Sequence, residues 1–473
     1  MTDHTLATHS PPADATPLPD MRESLRTWGW IALLSFGGPA GQIAVMHRIL
    51  VEEKRWIDER RFLHALNYCM LLPGPEAQQL AVYIGWLLNR TAGGLMAGTL
   101  FVLPGFLSIL VLSFIYALWG SGGWVAGLFF GLKAAVLAIV LQATIRVGRR
   151  ALRTPAMLAV AGAAFAAIHL FDVPFPAIVA AAALAGFVAG RQGWVSGTVA
   201  GGHGGGRGSN HGRAAGERPA ALGTDIPAHA RPSRAWSLRI AGIFLVLWLT
   251  PVLMLLATLG PDDVFTRIAV FFSQAAVVTF GGAYAVLGYV AQEAVQAHGW
   301  LMPGEMLDGL AMAETTPGPL IQVVQFVGFM GALRDPGALH PLVAGTLAAV
   351  LTTWVTFVPC FLWVLAGAPW AEALRGHRAV SGALAMVTAA VVGVILNLAI
   401  WFALHTVFGA VDRIGYGPLS VDVPVWSSVD PAALALSAGA VPAVLWLRVG
   451  MIPLLAACAA AGVVLQVLRS GLG

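Results

Sequence analysis

Charge is scarce in this chain. Of 473 residues, Lys and Arg supply 27 and Asp and Glu 23, so charged side chains make up only 11%. A water-soluble protein of this length needs far more polar surface, and that class is excluded. Cysteine is nearly absent as well. Cys69, Cys360 and Cys458 stand apart in apolar surroundings without metal-ligand spacing, so no disulfide framework or cluster is implied. The sequence has no HExxH, no GxSxG and no paired-aspartate motif for a metal-diphosphate. No cofactor or metal is expected, and a membrane-embedded enzyme is the remotest reading. His47 and His64 are the nearest candidate bases, but beside a loop they read as solvated or structural. A net charge of +4 points to no nucleic acid. The first twenty residues lack a basic stretch leading into a short apolar core, so no cleaved signal peptide is expected.

Apolar residues are what the chain does have. They make up 58% of it, with a mean hydropathy of +0.77. The expected fold is all-α, a polytopic helical membrane protein embedded in the lipid bilayer. Apolar segments fall near 24–46, 62–88, 93–118, 121–145, 154–170 and 173–190, then at 236–259, 264–291, 305–330, 340–366, 379–405, 431–447 and 449–469. Residues 1–23 read as a disordered tail. Residues 191–235, rich in Gly and Arg, read as a flexible cytoplasmic linker. A metal role for His203, His211 and His229 is the weaker alternative there.

Phe-Gly-Gly, a Trp twenty residues on and Pro-Gly-Pro seventeen further occur twice. Phe36, Trp56 and Pro73 are matched by Phe280, Trp300 and Pro317 at a constant spacing of 244. A second block repeats at 255: Pro104 with Pro359, Lys133 with Thr388, Gln142 with Asn397. Two membrane repeats follow, 24–190 and 264–470, joined by the linker and a connecting helix at 236–259. An odd number of crossings between equivalent points makes them inverted-topology repeats. Loop charge agrees: 47–61 carries Arg48, Lys54, Arg55, Arg60 and Arg61, while its counterpart 292–305 has no Lys or Arg. Putting both a cytoplasmic N-terminus and the basic loop inside requires 24–46 and 62–88 to be broken, re-entrant hairpins. Each carries a breaker in its middle, Gly37-Gly38-Pro39 and Pro73-Gly74-Pro75.

These breaks also nominate a site. A half-helix starting within the membrane presents unpaired N–H groups and a partial positive charge, which suits an anion. After Pro73-Gly74-Pro75 come Glu76, Gln78 and Gln79. Around Pro317-Gly318-Pro319 stand Thr316, Gln322 and Gln325. A proline kink with packing glutamines is the bland alternative. Gly37, Gly38, Gly281 and Gly282 would let a ligand approach closely, or merely let helices pack. Lys133 lies in the apolar run GLKAAVLAIVLQA, where a buried ammonium costs about 2.5–3.5 kcal/mol. It is a candidate for substrate binding or an ion pair, with snorkelling as the alternative. Glu314 is a candidate partner of Lys133 or a proton carrier. Glu76 is a candidate for coupling or, more simply, a satisfied helix start.

At LLPGPEAQQLAVYIGWLLN, TTPGPLIQVVQFVGFM, SFGGPAGQIAVM and TFGGAYAVLGYV the chain resembles the chromate ion transporter family, long two-domain type. The resemblance covers about 24–190 and 264–405. It implies a bacterial inner-membrane protein that exports chromate from the cytoplasm and confers resistance. It also implies a relationship to sulfate, a tetrahedral dianion of the same shape. An anion channel or an oxyanion uptake system is the alternative, and a homodimer is compatible with the sequence. Lys133 and two half-helix N-termini after the Pro-Gly-Pro motifs would together supply the two positive charges that a dianion needs.

Overall fold

The computed structural model describes residues 17–120, 122–192, 220–222, 229, 233–280, 282–370, 378–417 and 419–471. Its first helix shows what the glycine pair does. Asp20 caps α1 (Met21–Leu34) by accepting from the Glu23 amide. The helix stops because Gly37 and Gly38 adopt φ of +88° and +69°, where a side chain would be strained. The chain restarts as α2 (Gly38–His47), continues through a π-helical turn at Arg48–Glu53 and doubles back on itself. Lys54 Nζ ends 2.9 Å from Glu23 Oε1.

The next segment follows the same plan. Asp58 caps α3 (Glu59–Cys69), Pro73-Gly74-Pro75 breaks the chain, and α4 (Glu76–Trp119) begins. Asn89 and Arg90 leave helical geometry inside α4, and the chain folds back so that Gly94 packs beside Val82. Asn89 donates to the Pro19 carbonyl at 2.9 Å and accepts from the Ser24 hydroxyl at 2.6 Å. Both segments are therefore broken helical hairpins with their bases together, not straight spans.

After α5 (Gly123–Ala151), α6 (Pro155–Phe171), α7 (Phe175–Arg191) and α8 (Arg234–Thr258), the second half runs through the same order. α9 (Val264–Val278) breaks before α10 (Ala283–Gln292), which also ends in a π-helical turn, Glu293–Ala297. α11 (Pro303–Thr315) breaks at Pro317-Gly318-Pro319 before a 3₁₀ turn (Leu320–Gln322) and α12 (Val323–Arg334). Arg267 Nη2 lies 2.9 Å from His298 Nδ1, and Arg334 reaches Glu305 at 2.6 Å, which closes these hairpins at their bases. Then come α13 (Pro341–Gly367), α14 (Arg378–Val407), α15 (Pro431–Leu445) and α16 (Met451–Gly471).

The halves exchange their outer helices. α14 packs on α6 and α7, whereas α5 packs on α15 and α16. Gly186 meets Gly382, and Gly127 meets Gly462, so closely that a Cβ on either Gly186 or Gly462 would strike the facing carbonyl oxygen. Such contact through small residues is how helices associate in lipid, where no hydrophobic drive remains.

Among the described residues, six helices are long and apolar enough to cross a membrane. Large side chains on α8, including Leu238, Val246 and Leu253, point outward. Backbone satisfied within helices and an apolar exterior are what hydrocarbon demands. The protein is a polytopic all-α membrane protein. Four of the thirteen expected spans, 24–46, 62–88, 264–291 and 305–330, are the broken hairpins.

One element was not expected. Strands β1 (Val411–Tyr416) and β2 (Leu419–Pro424) form an antiparallel hairpin between α14 and α15, with Val411 opposite Pro424. The tail to residue 16 and most of the linker, His203 and His211 included, lie outside the described residues. Of the linker, Ala221 and Leu222 bond alongside Arg55 and Trp56, and His229 Nε2 lies 3.0 Å from the Trp86 carbonyl oxygen.

Candidate functional site

The tips of the broken hairpins meet, and backbone hydrogen bonds stitch them across the two halves. The Gly74 N–H donates to the Thr279 carbonyl at 2.7 Å, and the Gly318 N–H donates to the Ser35 carbonyl at 2.9 Å. Ser35 and Thr279 close the C-terminal ends of α1 and α9, where carbonyls lack helical partners. Each Pro-Gly-Pro thus satisfies the break in the other half. The Gln42 side chain adds a 2.5 Å bond to the Gly318 carbonyl.

Beside this junction lies a cavity of about 500 Å³. Its walls include Gly37, Gly38 and Gly282 with the opening turns of α2 and α10. Neither helix has a side-chain cap, so two sets of unpaired N–H groups border one space. Gln142 of α5 and Thr388 of α14 add polar groups, and Gln142 Oε1 accepts from Arg146 at 3.1 Å. Arg146, Arg150, Arg153 and Arg448 complete the cationic lining. Two carboxylates oppose them. Glu76 opens α4, and buried Glu314 accepts the Tyr284 hydroxyl at 2.5 Å. This electrostatic frame can hold an anion.

The expected site residues divide between this cavity and its supports. Gly37, Gly38, Gly282, Glu76 and Glu314 line it, and Gly281 lies outside the described residues. Pro73, Gly74, Pro75, Pro317, Gly318 and Pro319 stand behind it as stitches. Gln79 donates to the Pro73 carbonyl at 2.7 Å, while Gln78 is wholly buried with both amide atoms unpartnered. Gln322 donates to Gln325 Oε1 at 2.7 Å, Gln325 to the Phe106 carbonyl at 3.0 Å, and Thr316 to the Met312 carbonyl. These four polar side chains outside the lining hold backbone and one another.

Lys133 takes the ion-pair role, with a partner other than the one expected. Its Nζ lies 3.4 Å from Asp308 Oδ1, and Tyr116 donates to the other Asp308 oxygen at 2.8 Å. It does not line the cavity, and its partner is Asp308 rather than Glu314. The helix ends nearest the cavity also differ from expectation. Those of α2 and α10 follow Phe-Gly-Gly, whereas the second Pro-Gly-Pro leads into a 3₁₀ turn.

Arg146, Arg150, Arg153 and Arg448 were not among the expected site residues. Residues 142, 146 and 150 recur at helical spacing and share one face of α5, with Arg153 just beyond its end, a signal present in the sequence. Arg448 and Tyr284 had no such signal. Only packing brings them to the cavity.

A polytopic helical membrane protein with an arginine-lined cavity between two sets of broken hairpins has the build of a transporter. The chain belongs to the chromate transporter family, whose profile matches residues 22–187 and 266–463. It is 28% identical over 380 residues to a chromate transport protein of Cupriavidus metallidurans, covering 80% of this chain and 81% of that one. A chromate transport protein of Pseudomonas aeruginosa is 31% identical over 77% of this chain and 76% of its own. An uncharacterized transporter of Methanocaldococcus jannaschii is 25% identical over 79% and 82%. Members of the family are transporters, not enzymes. No solved structure matches the chain.

Proposed function

We propose that the protein exports chromate from the cytoplasm across the bacterial inner membrane, giving chromate resistance, by alternating access between two inverted repeats. The arginine-lined cavity where the two halves meet carries this reading. A tetrahedral dianion finds there guanidinium donors and two helix N-termini, the groups that compensate a doubly charged oxyanion removed from water. The names of the similar proteins support chromate as the cargo. Sulfate, with the same shape and charge, is the expected competitor.

Orientation follows from basic residues. Arg146, Arg149 and Arg150 end α5 with Arg153 just beyond it, and Arg48, Lys54, Arg55, Arg60 and Arg61 cluster at the base of the first hairpins. Such clusters stay cytoplasmic. The Lys54–Glu23 pair, which joins the N-terminal end of α1 to the basic loop, supports the same side for both. Inversion is supported by hairpin tips that bond to each other and by the exchanged outer helices. With the inside negative, expelling a dianion releases about 4.6 kcal/mol per 100 mV, twice the single-charge value.

The test is chromate uptake into everted vesicles under an imposed inside-positive potential, with and without excess sulfate. Saturable, potential-stimulated uptake that sulfate inhibits is the expected outcome. Absence of chromate uptake at every potential would remove the substrate reading, and non-saturable flux would favour a channel.

A further inference from the structure

Glu314 is out of place in an anion site. Only 2% of it is exposed, yet it lines the cavity. Oε1 accepts the Tyr284 hydroxyl, while Oε2 is buried with no hydrogen-bond partner, and no ion pair reaches it among the described residues. The groups sharing its cavity are Tyr284 from α10, Arg146, Arg150 and Gln142 from α5, and Arg153 just beyond α5. Thr388 from α14, Glu76 from α4 and Arg448 from the turn after α15 complete the set. At the other end of α11, Lys133 and Asp308 are occupied with each other.

A charged Glu314 would repel a dianion across a water-poor space. A protonated Glu314 would instead offer an O–H from the oxygen that now lacks a partner. Glu76 differs: it occupies the first turn of α4, where the helix end favours a carboxylate.

We propose that Glu314 is the proton-coupling residue: each oxyanion that enters the cavity binds together with one proton on Glu314, and the two leave together. This rests on the reading of the cavity as the oxyanion site. The step is a simple association, carboxylate plus proton giving carboxylic acid, with the new O–H on Oε2 directed to an anion oxygen. A dianion then moves with one net negative charge rather than two, which halves the electrical drive stated for the uncoupled dianion.

The experiment uses the full-length protein in lipid nanodiscs, with calorimetric titration at pH 5.5 to 8.5 in buffers of differing ionisation enthalpy. Sulfate is the first probe because it does not titrate in this range. Chromate is the second, used at the alkaline end where it is fully dianionic. The expected result is uptake of about one proton per anion bound, and a Kd that weakens about tenfold per pH unit above the midpoint. Glu314→Gln should bind with no linked proton and a flat pH profile. Tyr284→Phe, which keeps the carboxyl but removes its donor, should move the midpoint to higher pH. Binding without proton uptake in the wild type overturns the coupling but leaves the oxyanion site standing. Uptake that persists in Glu314→Gln, or is lost instead in Glu76→Gln, overturns the assignment, and so does an unmoved midpoint in Tyr284→Phe should the Gln variant not fold. No binding of either ion at any pH overturns the oxyanion site itself, and the proposal with it.

Discussion

The arginine-lined cavity has a counterpart on the other side of the molecule, and the two differ in nearly every respect that matters to an anion. The counterpart measures only about 40 Å³. It is bordered by the C-terminal end of α10, by Asn397 in place of Gln142, and by the α6–α7 turn in place of the α15–α16 turn. Asp172 and Arg448 mark the equivalence of these turns, for both are non-glycine residues with φ near +50°, at 51° and 54°. Yet one is an anion and the other a cation. At the position equivalent to Arg146 stands Trp401, at the same spacing of 255. The β1–β2 hairpin, present only in the second half among the described residues, then plugs this side. Arg413 pairs with Asp172 and bonds Gln296 at 2.9 Å, and Ser420 donates to Asp172. Similar helix order with unequal charge teaches that side chains, not backbone, set the polarity of each face. One face is lined by arginines; the other is closed by ion pairs.

The sharpest way to break this contrast is to give the cavity its counterpart's charge. Arg448→Asp should abolish saturable chromate uptake in everted vesicles, and Arg146→Ala should raise the apparent KM about 10- to 100-fold. Those figures correspond to one lost hydrogen bond to a charged group, about 1.5–3 kcal/mol. If both variants keep wild-type KM, the arginines take no part in binding the anion.

Next in size is the buried pair. Lys133→Met leaves Asp308 without its cation and should cost stability, about 3–5 kcal/mol for an uncompensated buried charge. Lys133→Met with Asp308→Asn should recover most of the loss in thermal unfolding of the detergent-solubilised protein. Full stability with lost chromate affinity in the single variant would instead return Lys133 to the binding role expected from sequence.

The smallest effect belongs to the plug. Arg413 and Asp172 are partly exposed, and such pairs contribute about 0–1 kcal/mol. Arg413→Ala should raise labelling of a cysteine at position 397 by an impermeant thiol reagent up to about fivefold from outside the cell. Unchanged labelling would mean that α6, α10 and α14 keep this side shut without the hairpin.

Much of this was legible beforehand, because hydrophobicity and helix breaking are local properties. The run of Gly37, Gly38 and Pro39 cannot continue a helix wherever it sits, and the five cations of residues 47–61 hold that loop to one side of a membrane. From these alone came the all-α membrane class and the expectation of broken hairpins. What lay beyond sequence was pairing between residues far apart. That Gly74 bonds Thr279, that Lys133 meets Asp308 rather than Glu314, and that Arg448 joins Arg146 around one space depend on how the helices of the two halves cross. A buried charge announces only that it needs a partner, since its cost in an apolar medium is the same whichever group pays it back. Helix packing decided which partner each received.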